Sequence, residues 1–150
     1  MRVVIQRVDR ASVEVNGIIV GKIDKGILAY VGIEKNDTEK EIAFMAEKIA
    51  NIRIFPDHEY KMNLSVKDIG GAVLSISQFT LASYIKKGRR PDFTNAEDPV
   101  KAEAMYEKFN ELLAHEIPVE KGVFGAMMNI DSLNNGPVTF IIEKQYKANE

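Results

Sequence analysis

The segment Ser77-Gln78-Phe79-Thr80 carries hydroxyl and amide side chains at the point where a predicted strand ends. Thr80 offers a hydroxyl, Gln78 offers an amide, and backbone N–H groups at a turn here could stabilise a developing oxyanion in acyl transfer. A hydroxyl nucleophile usually needs a positioned base, however, and no base is adjacent in the sequence. The residues taken alone therefore favour capping of the next element over catalysis.

The segment Asn134-Asn135-Gly136-Pro137 is typical of a turn, because Asn and Gly tolerate left-handed geometry and Pro cannot continue a ladder of hydrogen bonds. The bond between Gly136 and Pro137 can also be cis, as about 5–6% of X–Pro bonds in folded proteins are. A cis bond would point two successive carbonyls in unusual directions. The sequence leaves the isomer open.

Four cations occupy five consecutive positions at Lys86, Lys87, Arg89 and Arg90. Such a cluster can bind a few phosphates of a nucleic acid in a salt-sensitive manner. A solvated loop is equally compatible with the pattern.

The composition predicts a single domain without a metal site. With 150 residues, 45% of them hydrophobic, the chain can bury its own core, and no linker divides residues 1–150. It has no cysteine and only two histidines, so thiolate metal sites are excluded and no metal is expected. A net charge of −2 limits any nucleic-acid contact to local patches. The opening residues lack a signal peptide or membrane-spanning run, which predicts a cytoplasmic protein.

Turn signals and hydrophobic patterns predict several strands in the first half of the chain. Residues 2–15 are rich in β-branched side chains and end at Asn16-Gly17, a pair that favours a type I′ hairpin. Gly26–Ile33 is a continuous apolar run, which predicts a central strand covered on both faces. Ala72–Phe79 alternates apolar with small or polar residues, which predicts a strand with one buried face.

Two helices are predicted from capping signals and apolar stripes. The first begins with a capping box at Thr38 and Glu41 and has an apolar stripe within residues 42–49. The second begins at Asp98-Pro99 and runs to about His115. Its apolar stripe consists of Ala102, Met105, Phe109 and Leu112.

The last part of the chain contains three strand-like segments, at 117–124, 126–133 and 137–145. The polar tail from Lys144 is expected to fray. Strands and helices in this order predict an α+β fold.

Several segments together resemble the D-aminoacyl-tRNA deacylase family. They are MRVVIQRV and RASVEV at the start, KMNLSV at 61–66, SQFTL at 77–81, FGAMM at 124–128 and NNGPVT at 134–139. The resemblance spans nearly the whole chain, and the joint order and spacing of SQFTL and NNGPVT make it specific. It implies a cofactor-free homodimer with a mostly antiparallel, barrel-like sheet and two main helices packed outside. It also implies hydrolysis of D-aminoacyl-tRNA, and of glycyl-tRNA mischarged on the alanine tRNA, to the free amino acid and tRNA.

The resemblance further implies an active site built around SQFTL at the subunit interface, with no metal. Its catalytic positions are Thr80, Gln78 and Ser77, and its substrate-binding positions include Phe79, Met127 and Met128. Since no base accompanies Thr80, we expect the neighbouring hydroxyl of the terminal ribose to assist water attack while the protein positions the ester and stabilises the oxyanion. The basic residues Lys86, Lys87, Arg89 and Arg90 are the expected tRNA contacts.

Chiral selection is implied to come from Gly136 and Pro137, which in this family form a cis peptide that reaches into the partner's site. Their carbonyls would hold the amino group of the substrate and leave no room for an L side chain, so that selection is by steric exclusion. Glycine has no side chain to exclude, and glycyl-tRNA should therefore also be cleaved.

Two other functions remain compatible with the residues. In the first, the protein binds nucleic acid without catalysis, and SQFTL forms a base-stacking pocket beside a basic loop. In the second, it is a structural dimer whose Gly-Pro is only a turn. Turnover of charged tRNA separates both from a deacylase.

Overall fold

The structure is a computed structural model that describes residues 1–150 and contains eight strands and two α-helices. The strands are β1 (Arg2–Val15), β2 (Ile18–Ile23), β3 (Gly26–Gly32), β4 (Phe55–Pro56), β5 (Met62–Leu64), β6 (Ala72–Ser77), β7 (Val119–Lys121) and β8 (Asn129–Glu143). The helices are α1 (Glu39–Asn51), α2 (Pro99–Ala114) and a 3-10 helix at Phe79–Ala82.

The sheet is mixed and nearly closed into a barrel. β1 pairs antiparallel with β2, β3 and β8, whereas β3 pairs parallel with β6 and β6 pairs parallel with β7. The parallel pairs arise because α1 lies between β3 and β6 in the chain and α2 between β6 and β7, and such crossovers return the chain in the same direction. The predicted antiparallel character therefore holds around β1 and in the separate two-stranded pair of β4 and β5, but not for β6 and β7. The two end strands of the sheet, β2 and β7, lie close together, which nearly closes the barrel. A Cβ added at Gly21 of β2 would lie only 2.8 Å from the Lys121 carbonyl oxygen of β7.

The predicted hairpin and both helix starts are confirmed. Asn16 and Gly17 have φ of 51° and 79°, as a type I′ turn requires. Helix α1 begins with the predicted capping box, in which the backbone N–H of Thr38 donates to Glu41 Oε2 at 2.7 Å. Asp98 caps α2, and Pro99 is its first residue.

The buried face of α2 differs from the predicted stripe. Tyr106 and Leu113 are buried, whereas Met105 and Leu112 are only partly buried. The helix is turned so that the Tyr106 hydroxyl can donate to the Ser75 carbonyl at 2.7 Å, which satisfies the polar end of a buried ring.

Strand β6 is buried on both faces, and the prediction of one buried face was wrong. Val73 belongs to the core between the sheet and the two helices, whereas Leu74 and Ile76 belong to a second core inside the barrel. Successive side chains of a strand point to opposite faces, so the two cores bury both. The small Ser75 is also buried.

The C-terminal predictions need four corrections. Only Val119–Lys121 of the segment 117–124 forms a strand, and the segments 126–133 and 137–145 are parts of one strand, β8. The predicted turn at 134–137 is a bulge within β8. Gln6 of β1 pairs with Thr139 and Val8 pairs with Asn134, so β8 has extra residues between these two pairs. The tail from Lys144 is tied down as far as Tyr146, whose N–H donates to Glu41 Oε1 at 2.9 Å.

No helix of this structure combines the length and the apolar character needed to cross a membrane.

Candidate functional site

The residues of SQFTL lie where the parallel pair of β3 and β6 ends. The N–H of Gln78 donates to the Val31 carbonyl at 2.8 Å and is the last link between the two strands before the 3-10 helix begins. Arg2 on β1 holds the far end of this helix, because its Nη1 donates to the Leu81 carbonyl at 2.8 Å. The site therefore stands on the best-buried part of the sheet.

A pocket of about 860 Å³ opens beside Ser77, Gln78 and Phe79. Its walls come from the end of β6, the first half of α2 and the segment 124–130. Most of its lining is apolar, and few polar groups enter it, as in typical small-molecule sites. The lining residues are Val31, Ile33, Lys35, Ile76, Ser77, Gln78, Phe79, Phe93, Ala96, Glu97, Asp98, Pro99, Ala102, Tyr106, Phe124, Gly125, Ala126, Met127, Met128 and Ile130.

Thr80 does not line this pocket and has no base beside it. Its side chain is exposed, and its Oγ1 accepts a hydrogen bond from Gln78 Nε2 at 2.5 Å. The carboxylates at the pocket edge are engaged elsewhere: Glu97 pairs with Lys101 at 3.1 Å, and Asp98 caps α2. No hydrogen bond or ion pair connects Thr80 to a group that could remove its proton.

The two methionines differ in their surroundings. Met127 is 92% exposed at the pocket mouth, whereas Met128 packs against the core inside the barrel. Met128 therefore forms a fixed wall, and Met127 is free to adapt to what enters.

The 3-10 helix can bind polar atoms through its first amides. Phe79 and Thr80 open the helix, so their N–H groups have no carbonyl partner within it. Phe79 and Thr80 directly follow Ser77 and Gln78, whose side chains are also polar. The end of β6 thus combines backbone and side-chain donors in four consecutive residues.

Phe93 and Tyr106 also line the pocket, although neither was predicted from the sequence. The rings of Phe79 and Phe93 lie 5.2 Å apart with a tilt of 57°. Phe93 lies in a loop without periodicity, so no sequence pattern could place it. Burial raises the pKa of Tyr106, which keeps its hydroxyl protonated and donating to Ser75.

Gly136 and Pro137 do not line the pocket of their own chain. The bond between them is cis, and Gly136 has φ of 137°, where a side chain is disfavoured. Arg7 on β1 fixes the preceding residue, since its Nε donates to the Asn135 carbonyl at 3.2 Å and its Nη2 to Asn135 Oδ1 at 3.1 Å. The bulge is thus held to β1.

The four predicted cations also lie outside the pocket. They stand on a loop that Tyr84 and Asp92 close, where each N–H donates to the other's carbonyl at 2.8 Å. We call residues 84–92 the basic loop. All four cations are exposed and none forms an ion pair with a carboxylate. Lys86 Nζ lies 4.9 Å from the centre of the Tyr84 ring.

The structure brings together no group of three or more His, Cys, Asp or Glu side chains suited to a metal ion.

Comparison with known proteins places the chain among relatives of similar length. A family model described as D-Tyr-tRNA(Tyr) deacylase matches residues 4–143. A D-aminoacyl-tRNA deacylase of Bacillus velezensis is 52% identical over 146 residues, which cover 97% of this chain and 99% of the relative. One of Brevibacillus brevis is 56% identical over 144 residues, which cover 95% and 99%.

Two solved structures are similar along nearly the whole chain. One, described as "c-Myc DNA Unwinding Element Binding Protein", has a TM-score of 0.93 and 40% identity, with coverage of 97% of this chain and 100% of that chain. The other, described as "Structural Analysis of a probable eukaryotic D-amino acid tRNA deacylase", has a TM-score of 0.79 and 18% identity, covering 94% and 97%. The second supports the fold alone.

Proposed function

Because the chain belongs to the D-Tyr-tRNA(Tyr) deacylase family and hydrolyses the ester bond of D-aminoacyl-tRNA, we propose that the reaction takes place in the pocket at the end of β6. The pocket has the size and apolar lining of sites that enclose small molecules. Phe79, Met127 and Met128 offer an apolar wall for the terminal adenosine. Ser77 and Gln78 offer polar atoms for the ester.

The proposed reaction uses water and no protein nucleophile. Water adds to the ester carbonyl, the bond to the ribose oxygen breaks, and that oxygen leaves with a proton from the attacking water. The neighbouring ribose hydroxyl assists this proton transfer, and the free N–H group of Phe79, a residue that lines the pocket, stabilises the oxyanion. This mechanism rests on the surroundings of Thr80, whose hydroxyl is bonded to the Gln78 amide and to no base.

Chiral selection is proposed to require a second copy of the chain. Gly136 and Pro137 stand on β8, away from the pocket of their own chain. The outer edge of β8 has no strand partner, and it exposes the apolar residues Leu133, Phe140 and Ile141. A homodimer through this edge would bring Gly136 and Pro137 to the partner's pocket, where their carbonyls would bind the substrate amino group and exclude an L side chain. Glycyl-tRNA, with no side chain, would be cleaved as well.

Binding of the tRNA is proposed to involve the four cations of the basic loop, Lys86, Lys87, Arg89 and Arg90. They are exposed and unpaired, so they can contact phosphates without breaking ion pairs of the fold. Their contribution should weaken with salt.

The direct test measures release of amino acid from matched D-tyrosyl-, L-tyrosyl- and glycyl-tRNA in the presence of a metal chelator. We expect rapid loss of the D and glycyl esters, with the L ester spared. The same D ester on a tRNA that ends in 2′-deoxyadenosine should react at least about 100-fold more slowly, because the assisting hydroxyl is missing. Equal rates on the two tRNAs would refute assistance by the ribose, and equal loss of D and L esters would refute steric exclusion.

Binding of DNA is a second candidate, favoured by one observation. A solved structure with 40% identity to this chain is described as a binding protein of a DNA unwinding element. Single-stranded DNA could contact the same basic loop. If the chain also binds DNA, single-stranded DNA should bind at physiological salt.

A further inference from the structure

We propose that Phe93, together with Phe79, stacks on the nucleotide that precedes the terminal adenosine, and that the single-stranded 3′ end of the tRNA then passes over the basic loop. This inference rests on the proposed function and extends the site from one nucleoside to several nucleotides. It assigns a substrate-binding role to Phe93.

The two phenylalanine rings are exposed to an extent that the fold does not require. Phe79 is 59% exposed and Phe93 is 41% exposed, although the centres of their rings lie only 5.2 Å apart. Tyr106, another aromatic residue of the pocket, is almost fully buried. The exposed pair therefore offers apolar ring surface at the mouth of the pocket, where a base can stack.

Phe93 also links the pocket to the basic loop. It directly follows Asp92, which closes the loop through two hydrogen bonds of 2.8 Å with Tyr84. After it, the N–H of Thr94 donates to Asp92 Oδ1 at 2.9 Å, and the N–H of Ala96 donates to the Phe93 carbonyl at 3.0 Å. These bonds fix the backbone around Phe93, whose side chain lines the pocket and which directly follows the basic loop in the chain. A nucleotide chain that leaves the pocket past this residue would therefore approach the cations.

The charges near this path complement a polynucleotide. The basic loop carries four exposed cations without ion-pair partners, whereas the whole chain has a net charge of −2. Stacking rings next to a basic surface are the features by which proteins bind single-stranded nucleic acids. The unpaired 3′ end of a tRNA is a single strand, and it is the part of the substrate that must enter this site.

The test uses D-tyrosyl esters of increasing length: adenosine, the dinucleotide cytidylyl-adenosine, the trinucleotide CCA and whole tRNA. For Phe93→Leu, we expect a loss of kcat/KM that is about tenfold greater on the dinucleotide ester than on the adenosine ester, since one stacked base is removed. Phe93→Tyr, which keeps an aromatic ring, should recover most of this difference. The loss should appear mainly in KM.

The basic loop is tested by the double variant Lys86→Gln with Lys87→Gln. Its penalty should increase with ester length, be greatest on tRNA, and reduce the salt dependence of KM. The matched control replaces Lys22 and Lys25, two exposed lysines outside the pocket and the loop, with Gln. The control protein should behave like the wild type on every ester.

Three results would overturn the proposal. An equal loss for Phe93→Leu on adenosine and dinucleotide esters would make the ring a wall of the adenosine site only. No loss on any ester, or an equal effect of the control pair of lysines, would remove the stacking or the loop contact. If the wild type hydrolyses no ester, the proposed function fails by itself. In that case, stacking is tested by measuring the affinity of the wild type and of Phe93→Leu for uncharged CCA and for adenosine. The substitution should weaken only the CCA complex.

Discussion

The hydroxyl of Thr80, the candidate nucleophile in the first turn of the 3-10 helix, does not line the pocket. It accepts a hydrogen bond from Gln78, which orients the hydroxyl but cannot remove its proton. We therefore expect Thr80→Val to lower kcat/KM for D-tyrosyl-tRNA by less than about 100-fold, whereas loss of a nucleophile costs roughly 10⁴-fold or more. Single-turnover hydrolysis measures this difference. A folded Thr80→Val protein that binds substrate but has no turnover would contradict the mechanism.

Gly136 is constrained by both its backbone conformation and its neighbours. At φ of 137°, an added Cβ would lie 2.6 Å from Val138 Cγ2 and 3.3 Å from Arg7 Nη2. Gly136→Ala should lower the free energy of unfolding by about 1–3 kcal/mol and displace the bulge of β8. We also expect the ratio of D- to L-tyrosyl-tRNA hydrolysis to fall at least about tenfold, because steric exclusion depends on the position of this bulge.

The matched control for this position is Gly70→Ala. Gly70 also has a positive φ, of 67°, but its added Cβ would meet no atom within 4 Å. Thermal unfolding measures the stability of each variant, and hydrolysis of D- and L-tyrosyl-tRNA measures its D-to-L ratio. If Gly136→Ala lowers stability but keeps the D-to-L ratio of the wild type, Gly136 has no part in chiral selection.

The sequence could predict individual site residues only where a local pattern marks them. Ser77, Gln78 and Phe79 stand at a strand end that periodicity predicts, and the pocket contains them. Thr80 belongs to the same motif, but the turn of the 3-10 helix directs it away from the pocket. Phe93 has no periodic neighbours, and its role depends on a contact with Phe79 across 14 residues, which no local rule predicts.

At the scale of elements, caps and turns were predictable because their hydrogen bonds join neighbouring residues. The capping box of α1 and the Asn16-Gly17 hairpin are of this kind. The bulge of β8 was not, because it depends on Arg7, which holds Asn135 from a strand more than 120 residues away. The buried face of α2 likewise depends on the contact of Tyr106 with β6.

The cap of α1 should make stability depend on pH. Burial alone would raise the pKa of Glu41, but hydrogen bonds from the Thr38 hydroxyl, the Tyr146 N–H and the Thr38 N–H outweigh it and lower the pKa to about 2. A lowered carboxylate pKa stabilises the folded state above the unfolded value of 4.5. This contribution, up to about 3 kcal/mol, is lost as pH falls through the folded value.

Urea unfolding at several pH values tests this with Glu41→Gln. The variant should be less stable than the wild type at pH 7, and the difference should vanish as the pH approaches 2. Glu47→Gln changes an exposed carboxylate of the same helix that forms no ion pair, so it should match the wild type throughout. A difference for Glu41→Gln that stays constant with pH would show that its charge is not what stabilises the cap.

At the scale of the whole molecule, the pocket and the Gly136-Pro137 bulge lie apart within one chain, although the proposed chiral selection needs them together. The pocket lies at the ends of β3 and β6, whereas Gly136 and Pro137 stand on β8, whose outer edge is unpaired. The closure of the sheet follows from the crossovers through α1 and α2, which join residues distant in sequence. The period-two pattern could therefore predict strands but not their parallel pairing.

If selection acts across a dimer, two defective variants should complement each other. Gln78→Ala with Phe79→Ala damages the pocket. Gly136→Val, with a larger side chain at the same crowded position, displaces the carbonyls that are proposed to bind the substrate amino group, and so lowers hydrolysis of the D ester as well as selection. Neither homodimer then has an intact pocket facing an intact bulge, but each mixed dimer has one such site. After unfolding together and refolding at equal amounts, hydrolysis of D-tyrosyl-tRNA should return to about a quarter of the wild-type level, because half of the dimers are mixed and each has one of two sites restored. A bulge that acts on the pocket of its own chain would give no recovery, since each chain carries one defect.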